Sequence, residues 1–323
     1  MNPIQLSKHI HESFVDYLST IFNVNRDGQQ STLQAAIQGS FRASNALMRG
    51  PYLEVTPPYK RGKSIIQLCD EGILSSQWRT LAEDNFPMPM NASLYQHQER
   101  AIRSYHSGRS LVISSGTGSG KTEGFLIPIL NDLLENPQLG VRAVLIYPMN
   151  ALVNDQLDRL RRVLKDTNIT FGRYTSELVN SEKDGRKEDT LPNEVVSRET
   201  IRDGSLIPQI LITNYAMLEY LLLRPEDSRL FESGMWRFLV LDEAHTYSGA
   251  QGIEVAYLIR RLKQRLNKRQ GDMLCIATSA TLTDDTQVAV KFASDIFGEV
   301  LNLKILSLVK KILIMYQVFI LKK

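Results

Sequence analysis

The chain has 323 residues, 43% hydrophobic and 23% charged, enough to bury a sizeable core in one large or two small domains. Its formal charge of +3 belongs to the end of the sequence: residues 301–323 hold Lys304, Lys310, Lys311, Lys322 and Lys323 without an acid, and removing those five leaves −2 for residues 1–300. Global charge therefore cannot hold a nucleic acid, which would need a local surface; two distant cysteines, Cys69 and Cys275, and a polar N-terminus exclude a disulfide framework and a signal peptide, and indicate the cytoplasm.

Residues 1–90 read as a helical and loop-like extension. Phe14, Tyr17, Leu18 and Ile21 recur at helical spacing, and a Pro-rich connector runs from Gly50 to Lys63. From residue 91 to 300, short β-branched runs alternate with helical patterns, which predicts an α/β domain with a mostly parallel sheet flanked by helices. Strands are predicted at Leu111–Ser114, Ala143–Tyr147, Ile169–Tyr174, Gln209–Thr213, Phe238–Leu241 and Leu274–Thr278. Two helices between them carry core-facing stripes, Val153, Leu157, Leu160 and Leu164 in one, Val255, Leu258, Leu262 and Leu266 in the other. Ser176–Ser205, dense in charges of both signs, predicts a solvated loop with a short helix near its end. The tail, residues 301–323, is apolar or aromatic at fifteen positions, but its lysines interrupt it before the roughly 18 uncharged residues of a membrane span accumulate. A buried amphipathic helix or an out-of-frame extension suits that composition.

The chemistry concentrates after the first predicted strand. Ser115, Gly116, Thr117, Gly118, Ser119, Gly120, Lys121 and Thr122 fit the phosphate-binding pattern G-x-x-x-x-G-K-[ST], with Ser115 in the first position. Glycines let successive backbone N–H groups turn inward around a phosphate, and the helix that follows adds its positive end. Lys121 would reach the β- and γ-phosphates of a nucleotide, and the Thr122 hydroxyl would ligate Mg²⁺. Pro128 lies inside the helix and is expected to kink it. Further on, the apolar run Phe238–Leu241 ends in Asp242 and Glu243. An acid at the end of a buried strand can hold the magnesium shell, a role for Asp242, while Glu243 can polarise an attacking water.

Asp242-Glu243-Ala244-His245 spells a DEAH box, and the chain resembles the first RecA-like motor domain of superfamily-two DEAD/DEAH helicases over roughly residues 40–298. "LYQHQERAI" resembles the Q-motif region, where the resemblance implies that Gln98 reads the adenine edge with Tyr95 nearby. "IYPMNALVNDQ" resembles motif Ia, with Met149 and Asn150 where the family more often has Thr and a cation. "ILITNYAMLE" resembles the segment that touches the strand backbone through Thr213 and Asn214, and Asn214 also suits a helix cap. "ATSATL" resembles motif III, which implies that Ser279 and Thr281 relay between nucleotide and strand, with His245 coupling to them. The wording after the box, "DEAHTYSGAQGIEVAYLIRRL", is similar to the Lhr-like and YprA-like helicases, a group associated with ATP-driven unwinding in repair and with phage defence.

The resemblance implies ATP and Mg²⁺ as cofactors and nucleic acid as partner, DNA in preference to RNA. Pro148, Asn150 and the helix start beside them suit phosphate contacts that read no base, and the missing cation at Asn150 weakens that contact. No Gln-x-x-Gly-Arg-x-Gly-Arg segment follows motif III, so the expectation is a half-complete motor, inactive or dependent on a separate chain that carries the second RecA-like domain. Two other readings remain open at this point: a non-catalytic nucleic-acid or partner-binding module, and a P-loop ATPase unrelated to nucleic acid.

Overall fold

The computed structural model describes residues 2–21, 30–43, 59–81, 85–116, 118–232, 235–280 and 286–299. The tail, most of the Pro-rich connector, Thr117 and Thr281 lie outside the described residues. Contacts divide the chain into two compact units. One contains helices α1 (Pro3–Ile21) and α2 (Gln30–Ala43), which pack on one another, and within it Gln38 Nε2 donates to Ser19 Oγ at 3.2 Å. The other begins at Tyr59, so residues 59–90, grouped with the extension on sequence grounds, cluster with the catalytic-looking region.

In that larger unit β1 (Arg61–Ser64) leads into α3 (Ile65–Asp70), whose first turn is closed by a reciprocal Ser64–Gln67 capping box. β1 pairs antiparallel with β2 (Ser93–Tyr95), which runs directly into α4 (Gln96–His106). A strand-helix alternation follows: β3 (Leu111–Ser114), α5 (Lys121–Glu135), β4 (Ala143–Tyr147), α6 (Asn150–Val163) and β5 (Phe171–Tyr174). Next come α7 (Glu182–Gly185), β6 (Glu194–Val195), α8 (Arg198–Asp203), β7 (Ile210–Asn214), α9 (Tyr215–Leu223) and α10 (Arg229–Glu232). The series closes with β8 (Phe238–Leu241), α11 (Gly249–Arg265), β9 (Leu274–Ser279) and α12 (Thr286–Phe297).

The seven strands β3 to β9 form one parallel sheet in the order β3-β9-β8-β4-β7-β5-β6. Alternate residues of each central strand feed two apolar layers. Leu145, Phe238 and Ile276 pack with Phe125, Leu130, Leu157 and Trp78 on one face; Val144, Leu239 and Cys275 pack with Leu218, Trp236, Leu258 and Phe297 on the other. Helices cover both faces, which is why these strands read as unbroken apolar runs. All four residues of each predicted helical stripe are buried. Helix α5 continues from Lys121 to Glu135 with Pro128 inside it.

The charged stretch Ser176–Ser205 is more than a solvated loop. It forms the expected short helix, α8, but it also supplies β6, the edge strand beside β5. Glu194 in that strand is buried because Arg161 of α6 clamps its carboxylate with two bonds, at 2.8 and 2.7 Å. The sheet is parallel, so the carboxyl ends of its strands open on one rim. Open α/β sheets bind their ligands along such a rim.

Candidate functional site

The phosphate loop leaves β3 at that rim. Gly118 and Gly120 both adopt φ of +73°, and a Cβ on Gly120 would collide with the Gln98 amide, so glycine is required there. The loop is closed on itself by a 2.6 Å contact between the Ser115 and Ser119 hydroxyls and tied to the sheet by Ser115 N–H donating to Ser279 O at 3.2 Å. Lys121, the first residue of α5, folds back so that Nζ donates to Ser115 O at 3.1 Å. Thr122 follows in the same first turn.

Two side chains of α4 hold the loop from behind. His97 Nε2 lies 2.9 Å from Ser119 O, and Gln98 Nε2 donates to Gly120 O at 2.9 Å. Burial lowers the His97 pKa against the opposing pull of the Ser119 carbonyl, with the Lys121 charge adding to the lowering; a neutral ring then donates from Nε2. Gln98 is only 1% exposed and its Oε1 accepts from Tyr95 N–H at 2.8 Å. One N–H and one lone pair of its amide are thus used to join the loop to the start of α4. Tyr59, Tyr95 and His97 cluster beside the loop, with ring centroids 5.2 to 5.7 Å apart, and the Tyr59 hydroxyl would meet a Cβ on Gly116 at 3.1 Å. Sequence reasoning named Tyr95 as a neighbour and missed Tyr59 and His97, which no spacing rule links to the loop.

The acidic turn leaves β8 at the same rim. Asp242 N–H donates to Ile146 O at 3.0 Å, and its Oδ1 accepts from the Thr278 hydroxyl. Glu243 stands at φ +48°, ψ +46°, a left-handed conformation uncommon for a side chain larger than glycine, and its N–H donates to the same Thr278 oxygen at 3.2 Å. Desolvation raises the Asp242 pKa; the Thr278 hydrogen bond opposes that and the Glu243 charge adds to it. Thr278, fully buried on β9, was absent from the sequence expectations. His245 Nδ1 lies 3.2 Å from Ser279 Oγ and 3.3 Å from Glu243 Oε2; the carboxylate oxygen accepts no well-aligned bond, so Ser279 is the partner.

Loop and acids meet. Lys121 Nζ lies 3.9 Å from Glu243 Oε1, and the Lys121 charge acts on Asp242. A donor set of loop amides, one lysine, a threonine hydroxyl and a single partly buried carboxylate suits a magnesium-nucleotide, since Mg²⁺ is commonly held by one or two carboxylates plus substrate phosphates. Among the described residues, no group of three or more His, Cys, Asp or Glu could hold a metal by itself.

Farther along the rim lie the residues expected to touch a strand. Asn150 opens α6 after Pro148 and the exposed Met149. Asn214 caps α9 through Oδ1, which accepts from Met217 N–H at 2.7 Å, and its Nδ2 donates to Asn150 Oδ1 at 2.7 Å. Thr213 is a correction: it is 0% exposed and its hydroxyl donates to Tyr174 O at 2.7 Å, so it braces β7 against β5 and does not face the rim.

Fold and site together define an α/β nucleotide-binding domain of the P-loop type. The family model described as DEAD/DEAH box helicase matches residues 95–289, and the chain belongs to that family. Druantia protein DruE of Escherichia coli is 30% identical over 90% of this chain, which covers 21% of that protein. The uncharacterised ATP-dependent helicase YprA of Bacillus subtilis is 32% identical over 60% of the chain, which covers 24% of it, in keeping with the Lhr-like and YprA-like group. The crystal structure of the DUF1998 helicase MrfA bound to DNA superposes with a TM-score of 0.58 at 23% identity, over 78% of this chain and 31% of that one; this likeness is one of fold. The chain therefore spans less than a third of the length of each of these proteins. No helix of the described residues is long and apolar enough to cross a membrane.

Proposed function

We propose that the chain binds Mg-ATP at the loop–acid junction and forms the first motor unit of an ATP-driven helicase that acts on DNA. The observation that carries this reading is the 3.9 Å approach of Lys121 to Glu243, which assembles phosphate-binding and water-polarising groups at one place. Lys121 exchanges its bond to Ser115 O for the β- and γ-phosphates, and the loop amides hold the remaining oxygens. Thr122 and Asp242 hold the magnesium ion, which when bound neutralises phosphate charge. Glu243, its side chain 25% exposed with Oε1 turned toward Lys121, is the carboxylate that orients a water and takes its proton. His245 and Ser279 link that carboxylate turn to the end of β9, and Pro148, Asn150 and Asn214 line the strand-binding edge.

Turnover depends on a second motor unit, on this polypeptide or on a separate chain, because an arginine supplied opposite the γ-phosphate is worth about 10³ to 10⁵ in rate in phosphoryl transfer. Unwinding in repair or in phage defence is what the resemblance to the Lhr-like and YprA-like group implies for the intact motor. Isothermal calorimetry with Mg-ATP tests the reading: saturable heat from the unaltered chain and its loss in Lys121→Ala are expected, and no heat from the unaltered chain would overturn it.

A further inference from the structure

We infer that Arg173 and Glu177 complete the strand-binding edge: Arg173 supplies from β5 a cation for a strand phosphate, and the Glu177 carboxylate occupies the phosphate's place until a strand displaces it. The inference rests on the nucleic-acid reading above. Pro148, Met149, Asn150 and Asn214 carry no positive charge, yet a polyanionic backbone is held chiefly by cations. The structure brings one there. Arg173 Nη1 donates to Asn154 Oδ1 on α6 and, at 3.0 Å, to Glu177 Oε2 just past the end of β5.

The Glu177 carboxylate is also approached by Asn154 Nδ2 at 3.3 Å and by Asn150 Nδ2 at 3.5 Å. Donors from two elements thus converge on one anion. A guanidinium with neighbouring amides is the donor set that a phosphodiester oxygen takes. Asn150 connects this group to Asn214 at 2.7 Å, so it lies on the edge already assigned to the strand. Side-chain exposures of 27% for Arg173 and 44% for Glu177 leave both within reach of a ligand, and an exposed ion pair of this kind is weak enough for a strand to displace. The carboxylate then discriminates against lone anions, because a single phosphate cannot replace it as effectively as a continuous chain of charges.

Fluorescence anisotropy with fluorescein-labelled oligothymidylate tests this on the full chain, titrated between about 50 and 200 mM salt. Glu177→Gln is expected to bind about fivefold more tightly, and Arg173→Met about fivefold more weakly with a slope of log affinity against log salt reduced by about 0.7. Asn150→Arg placed on Arg173→Met is expected to recover the slope. Unaltered affinity in Glu177→Gln overturns the inference, whatever the folding of Arg173→Met. If the unaltered chain binds and no variant differs, the nucleic-acid reading stands and only this inference falls; if the unaltered chain does not bind, both fall.

Discussion

Thr278 touches both acids of the DEAH turn at once: its hydroxyl donates to Asp242 Oδ1 and accepts from Glu243 N–H at 3.2 Å. One buried oxygen therefore fixes a carboxylate and a strained backbone together. In Thr278→Val both bonds go while the shape is kept. The expected cost is about 1 to 3 kcal/mol of stability, read as a lower urea midpoint, because two buried polar groups lose their partner. Mg-ATP affinity is expected to fall as well, since Asp242 and Glu243 lose their common anchor; an unchanged calorimetric affinity would show that the anchor is dispensable.

Lys121 provides the sharper test of the nucleotide site. Removing its ammonium in Lys121→Met deletes a charge-assisted contact, and such contacts contribute about 1.5 to 3 kcal/mol, or roughly 10- to 100-fold in affinity. Competition with a fluorescent ATP analogue reads that loss. The melting temperature of the ligand-free chain should change little, because Lys121 bonds only the rim carbonyl of Ser115 and approaches Glu243 no closer than 3.9 Å.

His97 sets a pH dependence whose sign follows from its environment. Its folded pKa is depressed by burial, so the unfolded chain binds the proton more readily. Stability is then complete above the ordinary histidine value of about 6.5 and is lost as pH falls below it toward the depressed folded value. Thermal melts from neutral to mildly acidic pH should show this decline in the unaltered chain and a flatter profile in His97→Gln. Equal slopes in the two proteins would remove His97 from the account.

Stability away from the rim rests on a different buried cation. Lys263 of α11 donates to Phe297 O at 2.8 Å and to Glu299, both on the stretch that ends α12. Lys263→Met would leave Glu299 buried with Gly271 N–H at 3.0 Å as its remaining donor, and breaking a buried pair on one side costs about 3 to 5 kcal/mol. Urea denaturation should report that loss, while Mg-ATP affinity below the transition should stay where it was.

Much of this molecule is legible in its sequence, for identifiable reasons. The strands Leu111–Ser114, Ala143–Tyr147 and Phe238–Leu241 match to the residue, because burial on both faces leaves no alternation to misread. Lys121 and Asp242 stand out because phosphate binding demands local glycines and a strand-terminal acid. β6 escapes because Glu194 looks solvated until Arg161 is brought to it from α6. Thr213 misleads because a hydroxyl next to a cap residue looks free until the Tyr174 carbonyl is placed beside it. Arg173, Glu177, His97 and the second bond of Gln98 depend on convergence between separate elements, which spacing along one chain does not encode.

Strand β9 lies between β3 and β8, and its last two residues reach both ways: Ser279 accepts from Ser115 and contacts His245, while Thr278 binds Asp242 and Glu243. The nucleotide cradle and the acids consequently share one keel. Any displacement of the end of β9 would therefore be felt at the loop and at the acids together.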